Sequence, residues 1–188
     1  VLSCLMEHLY TSAMVPDCQK QLLELQYFVS RDFRLDPRLY KMCNNDAVTL
    51  CHAPDDWANA DAGVSEEDDS LGPGVIFACL HRYLHPSPGE QKLSRQCSAE
   101  VHRVLRQRAD NVRLNPHIEA MCRVALGEFC SENVNSGEEM DCLQQNYEKL
   151  DGKCKALIQN FTTEESEDIK LDRLLMRACE PMLNRFCK

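Results

Sequence analysis

The stretch LDPRLYKMCNNDAVTLC, residues 35–51, is repeated twice further along the chain with its framework unchanged. The later versions are LNPHIEAMCRVALGEFC at 114–130 and LDRLLMRACEPMLNRFC at 171–187. Each opens with Leu followed by Asp or Asn, and each ends with two cysteines that are eight residues apart. A fixed framework that recurs in this way indicates a tandem repeat.

The 12 cysteines of this 188-residue chain fall into three sets of four. The interval between the second and third cysteines is the same in every set, and so is the interval between the third and fourth. Only the interval between the first and second varies in length. The sets are Cys4, Cys18, Cys43 and Cys51; Cys79, Cys97, Cys122 and Cys130; and Cys142, Cys154, Cys179 and Cys187.

Apolar residues recur at helical spacing around these cysteines. Residues four and seven positions past the second cysteine are apolar in every set, which places them on one face of a helix. They are Leu22 and Leu25, Val101 and Val104, and Ile158 and Phe161. We therefore predict three helices per repeat: A with the first cysteine, B opened by the second, and C with the last two. The fold class is all-α, with tandem disulfide-stapled three-helix repeats in a solenoid-like array.

Helix C has a recognisable start in each repeat. Three residues are expected to cap it, because an Asp or Asn side-chain oxygen accepts hydrogen bonds from the first free N–H groups of a helix. They are Asp36, Asn115 and Asp172. Pro37 and Pro116 follow at the first helical position, where a missing N–H costs nothing. Pro181 predicts a kink or a restart of helix C between the last two cysteines.

So high a cysteine content favours a secreted or lumenal protein stapled by disulfides. The sequence contains no C-x-x-C, which disfavours both a zinc knuckle and a thioredoxin-like redox site. We expect no cofactor and no metal. The sequence has no apolar run long enough to span a bilayer and no signal peptide at its start. Targeting segments and a membrane anchor are therefore expected outside this fragment.

The disulfide pairing follows in part from helix geometry. Eight helical residues rise about 12 Å, whereas disulfide-bonded Cα atoms lie roughly 4.4–6.8 Å apart, so the third and fourth cysteines of a set should not pair. Folding C back on B brings Cys18 level with Cys51, and folding A on B brings Cys4 opposite Cys43. The predicted cystines are Cys4–Cys43, Cys18–Cys51, Cys79–Cys122, Cys97–Cys130, Cys142–Cys179 and Cys154–Cys187. A nested scheme, first-to-fourth with second-to-third, is the alternative.

The charge distribution suggests the domain boundaries. The net charge is −9, and residues 52–74 alone hold seven acidic residues and no Lys or Arg. This composition is typical of a mobile acidic linker. We predict repeat 1 at 1–53, a linker at 54–74, repeat 2 at 75–131 and repeat 3 at 138–188. Repeat 1 should be the freer one, and repeats 2 and 3 should pack rigidly against each other.

In its motif C-L…C…L-[DN]-P/x…C-x7-C, the chain resembles the cysteine-rich repeats of the cysteine-rich fibroblast growth factor receptor family, whose members are also described as E-selectin ligands. The resemblance covers nearly the whole chain outside 52–74. It implies a Golgi type I membrane glycoprotein, present at the cell surface or released by cleavage in some forms, with a lumenal array of such repeats. It also implies binding of fibroblast growth factors, E-selectin and transforming growth factor precursors, and an influence on their trafficking. The family offers no catalytic residues.

Two surface features are candidate sites. Asn160 begins the sequon Asn160-Phe161-Thr162 and should face solvent, so we predict that it is glycosylated. Helix B of repeat 2 carries a basic stripe, which a polyanion such as heparan sulfate could bind. The simpler interpretation of the stripe is an ordinary solvated helix face. Its residues are Arg95, His102, Arg106 and Arg113.

Catalysis has little support. His81 and His85 have a spacing that can bind metal, but the sequence between them lacks the Glu of a metalloprotease helix. If each set of four cysteines forms two disulfides, all twelve are bonded and no thiol remains to act as a nucleophile. The leading hypothesis is a noncatalytic lumenal array that recognises secreted growth factors or selectin-type receptors, and nucleic acid is excluded by the charge and compartment. A saposin-like lipid-binding module is the alternative, and a hydrolase or redox enzyme is a third hypothesis.

Overall fold

The computed structural model describes residues 2–9, 11–53, 73–131, 134 and 137–187, and every regular element within these ranges is helical. The prediction of an all-α, cysteine-rich repeat protein is therefore confirmed. The α-helices are α1 (Leu2–Glu7), α2 (Pro16–Arg31), α3 (Pro37–Cys51), α4 (Pro73–Arg82), α5 (Arg95–Asp110), α6 (Pro116–Met121), α7 (Arg123–Phe129), α8 (Glu139–Gln145), α9 (Gly152–Glu167) and α10 (Arg173–Phe186).

These helices follow the predicted order A, B, C three times. Helices α1, α4 and α8 carry the first cysteine of each set, and α2, α5 and α9 carry the second. The last two cysteines of each set lie on or next to α3, the α6–α7 pair and α10. The helical periodicity of the sequence therefore reports the local structure correctly.

The turn from each B helix to the following C helix contains a short 3-10 helix between two caps. In the first turn, Asp32 Oδ1 accepts from Arg34 N at 3.0 Å, and Asp36 Oδ1 accepts from Leu39 N at 3.1 Å. The other two turns repeat both caps, with Asn111 and Asn115, and with Asp168 and Asp172. The predicted caps of helix C are confirmed. The preceding cap, four residues earlier, was not predicted, although Asp or Asn occupies that position in all three repeats.

The position of the break in helix C differs from the prediction. Helix α10 continues from Arg173 to Phe186 with Pro181 inside it, so the predicted restart at Pro181 is wrong. The change of helix falls instead in the second repeat, at Cys122, which has φ −96° and ψ 11°. Hydrogen bonds continue across it, from Cys122 N to Ile118 O and from Leu126 N to Cys122 O, both at 2.8 Å. Residues 116–129 therefore form two helices in one hydrogen-bonded run.

The chain divides into two compact units, unit 1 (Val1–Val104) and unit 2 (Leu105–Lys188). Their boundary lies inside a B helix, so they do not coincide with the predicted repeats 1–53, 75–131 and 138–188. The predicted linker lies outside the described residues except at its end, where α4 begins at Pro73. Helix α3 packs against α4 within unit 1. The expectation that repeat 1 is freer is therefore wrong for its helix C.

Each unit has its own apolar core. In unit 1, the most deeply buried side chains come from a helix C, a helix A and a helix B, and they include Leu39, Leu80, Cys97 and Val101. In unit 2, a continuous cluster runs from Ala109 through Ile118, Leu143 and Ile158 to Leu171. Both cores are thus built where the C helix of one set meets the A and B helices of the next.

Candidate interaction surface and the cystine junctions

Two disulfides in unit 1 join α3 to the helices of the next set. Cys43 is bonded to Cys97 of α5, with Cα atoms 4.6 Å apart, and Cys51 is bonded to Cys79 of α4, with Cα atoms 5.9 Å apart. The third and fourth cysteines of set one are thus bonded to the second and first cysteines of set two. We call this arrangement a cystine junction.

Unit 2 contains a second cystine junction of the same kind. Cys122 is bonded to Cys154 of α9, with Cα atoms 4.9 Å apart, and Cys130 is bonded to Cys142 of α8, with Cα atoms 5.8 Å apart. Helix α6 packs against α9 and α7 against α8, as the pairing requires. In both junctions the bond to helix B has the shorter Cα separation and the bond to helix A the longer one. The two junctions therefore share their geometry as well as their pairing.

The predicted pairing within sets is wrong, and so is the nested alternative. Every bonded cysteine has its partner in a neighbouring set, and the remaining cysteines have no partner in the chain. The cystines Cys4–Cys43, Cys18–Cys51, Cys79–Cys122, Cys97–Cys130, Cys142–Cys179 and Cys154–Cys187 do not occur among the twelve cysteines, all of which the structure describes. The prediction assumed that helix C folds back on helix B of its own set. Helix C instead packs on the next set, because Asp36 and Asp46 at α3 pair with Arg103 and Ser94 of that set.

Four cysteines remain free: Cys4, Cys18, Cys179 and Cys187. Cys4 and Cys187 are exposed, and the other two are partly buried. The prediction that the repeats use all twelve thiols within this chain is therefore wrong.

A buried ionic cluster supports the junction of unit 1. Arg103 of α5 donates to the Asp36 carboxylate and, through Nε, to Glu100 Oε2 at 2.8 Å. Arg38 Nε in turn lies 2.7 Å from Glu100 Oε1. Burial disfavours the charge on Arg103, but the two carboxylates outweigh burial and raise the pKa of the guanidinium above its usual value. The cluster ties the start of helix C to the helix B of the next set.

A second polar contact in unit 1 fixes the start of α5. Ser94 Oγ accepts from Cys97 N at 3.2 Å, which caps the helix, and donates to Asp46 Oδ2 at 2.6 Å. Asp46 lies on α3 and is 5% exposed. Because the same Ser94 caps the helix that carries Cys97, this contact positions the cysteine opposite its partner on α3.

Among the described residues of unit 2, Glu165 has a strongly perturbed carboxyl group. Burial raises the pKa of Glu165 on α9 to about 7, against a hydrogen bond from Gln144 Nε2 that lowers it, with nearby Asp172 and Asp141 adding to the increase. Burial also raises the pKa of its neighbour Glu164. The sequence did not predict either shift. Both depend on burial and on residues of other helices, and the periodicity of a single helix does not show which residues of other helices lie nearby.

The basic stripe is only partly as predicted. Arg95 and His102 lie on the part of α5 in unit 1, and Arg106 lies on the part in unit 2. His102 Nδ1 lies 2.7 Å from Ser98 O, so one ring nitrogen contacts a backbone carbonyl of its own helix. Because α5 ends at Asp110, Arg113 falls in the following 3-10 helix Val112–Leu114 and does not continue the stripe at helical spacing. Arg95 and Arg113 are exposed, and His102 and Arg106 are partly buried.

Asn160 is exposed on α9, as the sequence predicts. Its neighbour Phe161 is buried in the core of unit 2, which fixes the face that Asn160 presents to solvent. Thr162 Oγ1, the third position of the sequon, accepts a hydrogen bond from Gln144 Nε2 at 3.0 Å.

The histidine pair does not lie on one helix, because α4 ends at Arg82, between His81 and His85. Within the residues that the structure describes, no group of three or more His, Cys, Asp or Glu side chains is arranged to hold a metal ion. None of the described helices is both long enough and apolar enough to cross a membrane.

The cystine junctions, the capped turns and the all-α architecture define a disulfide-linked helical repeat protein. The chain belongs to the family described as "Cysteine rich repeat", which matches residues 16–87, 95–151 and 152–188. Each match begins with a B helix. In this frame, Cys51–Cys79 and Cys130–Cys142 lie within a repeat, and Cys43–Cys97 and Cys122–Cys154 link successive repeats.

The chain is similar to Golgi apparatus protein 1 of Rattus norvegicus, with 47% identity over 188 residues, which is all of this chain and 15% of the relative. The Homo sapiens protein is 46% identical over the same 188 residues, again 15% of its length. The Golgi apparatus protein 1 homolog of Caenorhabditis elegans is 43% identical over 191 residues, covering 99% of this chain and 16% of the relative. The chain thus spans about 15–16% of the length of the relatives it matches. Their names support a Golgi location for this chain. No solved structure matches it.

Proposed function

We propose that this chain is a noncatalytic binding segment of a lumenal glycoprotein of the secretory pathway, in which disulfide-linked helical units present their surface to other proteins. The longer protein carries the membrane anchor. The partners are secreted growth factors or selectin-type receptors, and the fibroblast growth factors, E-selectin and transforming growth factor precursors are the specific candidates. Through this binding the protein influences their trafficking.

One observation carries the proposal: in both units the cysteines serve as structural links between consecutive repeats. Cys43, Cys97, Cys122 and Cys154 are completely buried in cystines that hold helix pairs together. A buried cystine leaves no thiolate for chemistry, and its stabilising effect is to restrict the unfolded chain. Such a scaffold suits a protein whose outer surface has to persist in an oxidising compartment.

The experiment is a binding measurement on the chain with its cystines intact. The immobilised chain is exposed to a fibroblast growth factor, to the ectodomain of E-selectin and to a transforming growth factor precursor in separate surface plasmon resonance runs. We expect saturable binding of at least one of them, and loss of that binding by the reduced and alkylated chain, which keeps the sequence but not the junctions. No saturable binding of any of the three would contradict the proposed partners. Lipid that copurifies and appears in native mass spectra would favour the saposin-like alternative.

Heparan sulfate binding by α5 is a separate part of the proposal and has its own test. Changing Arg95 and Arg106 to Glu should lower the salt concentration at which the chain leaves a heparin column, because clustered cations bind polyanions. The matched control changes Lys20 and Lys41, which are exposed on α2 and α3, to Glu and makes the same difference in net charge. Equal shifts for both variants would show a general charge effect and contradict a site on α5.

A further inference from the structure

The two cystine junctions obey a single rule, and that rule accounts for the four free thiols. The third and fourth cysteines of one set bond to the second and first of the next, in unit 1 and again in unit 2. At the N-terminal end the rule leaves Cys4 and Cys18, the first and second of their set, without a partner. At the C-terminal end it leaves Cys179 and Cys187, the third and fourth of theirs. These are the four cysteines that are free.

Apolar residues at the C-terminal end are exposed where their equivalents in the two junctions are buried. Leu175 lies four residues before the third cysteine of its set, as do Leu39 and Ile118 in theirs. Leu39 and Ile118 are 0% and 3% exposed inside the junctions, whereas Leu175 is 43% exposed. Met182 and Phe186 on the same helix α10 are also exposed. Helix α10 therefore presents the apolar face that α3 and α6 bury.

The N-terminal end shows the complementary face. Leu25, seven residues past the second cysteine, is 42% exposed, whereas the equivalent Val104 and Phe161 are 8% and 6% exposed. Leu5, one residue past the first cysteine, is 37% exposed, whereas its equivalents Leu80 and Leu143 are both 0% exposed. Helices α1 and α2 pack together as α8 and α9 do, so this A–B pair lacks only a helix C from a preceding set.

We propose that α1–α2 and α10 are the two complementary halves of a further cystine junction, and that a neighbouring cysteine-rich repeat of the same polypeptide completes each half. A preceding repeat supplies its third and fourth cysteines to Cys18 and Cys4. A following repeat supplies its second and first cysteines to Cys179 and Cys187. The small share of the relatives' length that this chain spans leaves room for such repeats. The interface is heterologous, so it propagates head to tail and does not close on itself as a two-fold dimer.

Formation of these disulfide bonds requires an oxidant. Two thiols become one disulfide and release two protons and two electrons, and oxidised glutathione takes these up as it is reduced to two glutathione thiols. Each completed junction therefore consumes two molecules of oxidised glutathione.

Two variants, each of which keeps only one half of the junction, test the proposal. A second copy of the chain takes the place of the neighbouring repeat. One carries Cys4→Ser and Cys18→Ser and keeps only the C-terminal half. The other carries Cys179→Ser and Cys187→Ser and keeps only the N-terminal half. In a glutathione redox buffer, each variant alone should stay monomeric, and the mixture should give a one-to-one disulfide-linked dimer. Peptide mapping should find Cys18–Cys179 and Cys4–Cys187 in it, with the four cystines inside each chain intact. Symmetric dimers of either variant alone, or a mixture that stays monomeric, would overturn the proposal.

The apolar faces are tested in the same assay. Leu175→Lys in the variant that keeps α10 should slow formation of the mixed dimer about tenfold, because the junction would have to bury a charge in place of a leucine. Val124→Lys is the control, since Val124 is an exposed apolar residue of α7 away from both ends. Equal rates for the two substitutions would contradict the role assigned to the apolar face. This outcome is independent of whether a growth factor or a selectin binds the chain.

Discussion

Arg103 donates to the carboxylate of Asp36 across 67 positions of sequence, and both side chains are about 10% exposed. Asp36 also caps α3 with the same carboxyl group. One aspartate therefore begins a helix C and anchors that helix to the helix B of the next set. Ser94 has a similar double role, since it caps α5 and donates to Asp46 of α3, but the Asp36–Arg103 contact is the one of the two that pairs buried charges.

Replacing Asp36 with Asn should destabilise the chain by about 3 kcal/mol, because the substitution leaves Arg103 buried with part of its charge uncompensated. Asn caps a helix as well as Asp does, so the loss reports the ion pair and not the cap. Urea unfolding followed by circular dichroism without reductant measures the effect. The matched control is Asp172→Asn, which keeps the cap of α10, and we expect it to change the free energy of unfolding by less than about 0.5 kcal/mol. Equal losses in the two variants would refute the special role of Asp36.

The junction of unit 1 predicts how the chain responds to a cut between its first two cysteine sets. A protease recognition site introduced after Gly63 places the cut between Cys51 and Cys79, which are bonded to each other. The two fragments should migrate together on a nonreducing gel and separate after reduction. Pairing within sets predicts separation without reductant, so the experiment distinguishes the two schemes. A variant with Cys43→Ser and Cys51→Ser should release the fragments in either condition.

Glu165 predicts a pH dependence of stability. Its ordinary pKa is near 4.5 and the fold raises it to about 7, chiefly by burial. The folded state therefore favours the neutral form, so the stabilisation from this group is complete below pH 4.5 and is lost as the pH rises through 7.

Glu165→Gln should accordingly raise the free energy of unfolding by about 1 kcal/mol at pH 8 and by almost nothing at pH 4, a magnitude reduced because the side chain is partly exposed. Urea titrations at both pH values measure the difference from the wild-type chain. Glu128→Gln, at an exposed position of α7 in the same unit, removes the same formal charge and is the control, and an equal gain in both variants would assign the effect to net charge and not to Glu165. A gain at pH 4 equal to the gain at pH 8 would be incompatible with a raised pKa.

Glycosylation of Asn160 predicts a mobility change in protein expressed through a secretory pathway. The wild-type chain should shift after treatment with an N-glycosidase, and Asn160→Gln should migrate like the treated protein. Thr162→Ser keeps the sequon and should retain the shift, whereas Thr162→Ala should lose it. Because Thr162 also accepts a hydrogen bond from Gln144, the serine variant separates loss of the sequon from loss of that contact. If untreated wild type and Asn160→Gln migrate together, the site is not used.

The helices could be predicted from the sequence because their signals are local. Leu22 and Leu25 lie within one or two helical turns of Cys18, and Asp36 caps residues that directly follow it. The earlier cap at Asp32 could have been found in the same way, since its equivalents Asn111 and Asp168 stand at the same position of each repeat.

The cystines could not be predicted from the sequence, because periodicity gives the length of a repeat but not its frame. The orders A–B–C and C–A–B have the same period, and only the direction in which helix C leaves the turn distinguishes them. That direction depends on contacts between distant residues, such as Arg103 with Asp36 and Ser94 with Asp46. A pattern of spacings carries no information about such pairs.

The cystine between Cys43 and Cys97 also determines how the chain transmits a pulling force. Tension applied at the two termini passes through the Cys43–Cys97 disulfide. The 54 positions of sequence that this bond spans are therefore shielded from extension. The next bridged stretch begins at Cys122, so the covalent path between the two bridges is the backbone from Cys97 to Cys122. Because the same interval separates the second and third cysteines of every set, a tether built from such repeats would carry tension through backbone segments of equal length.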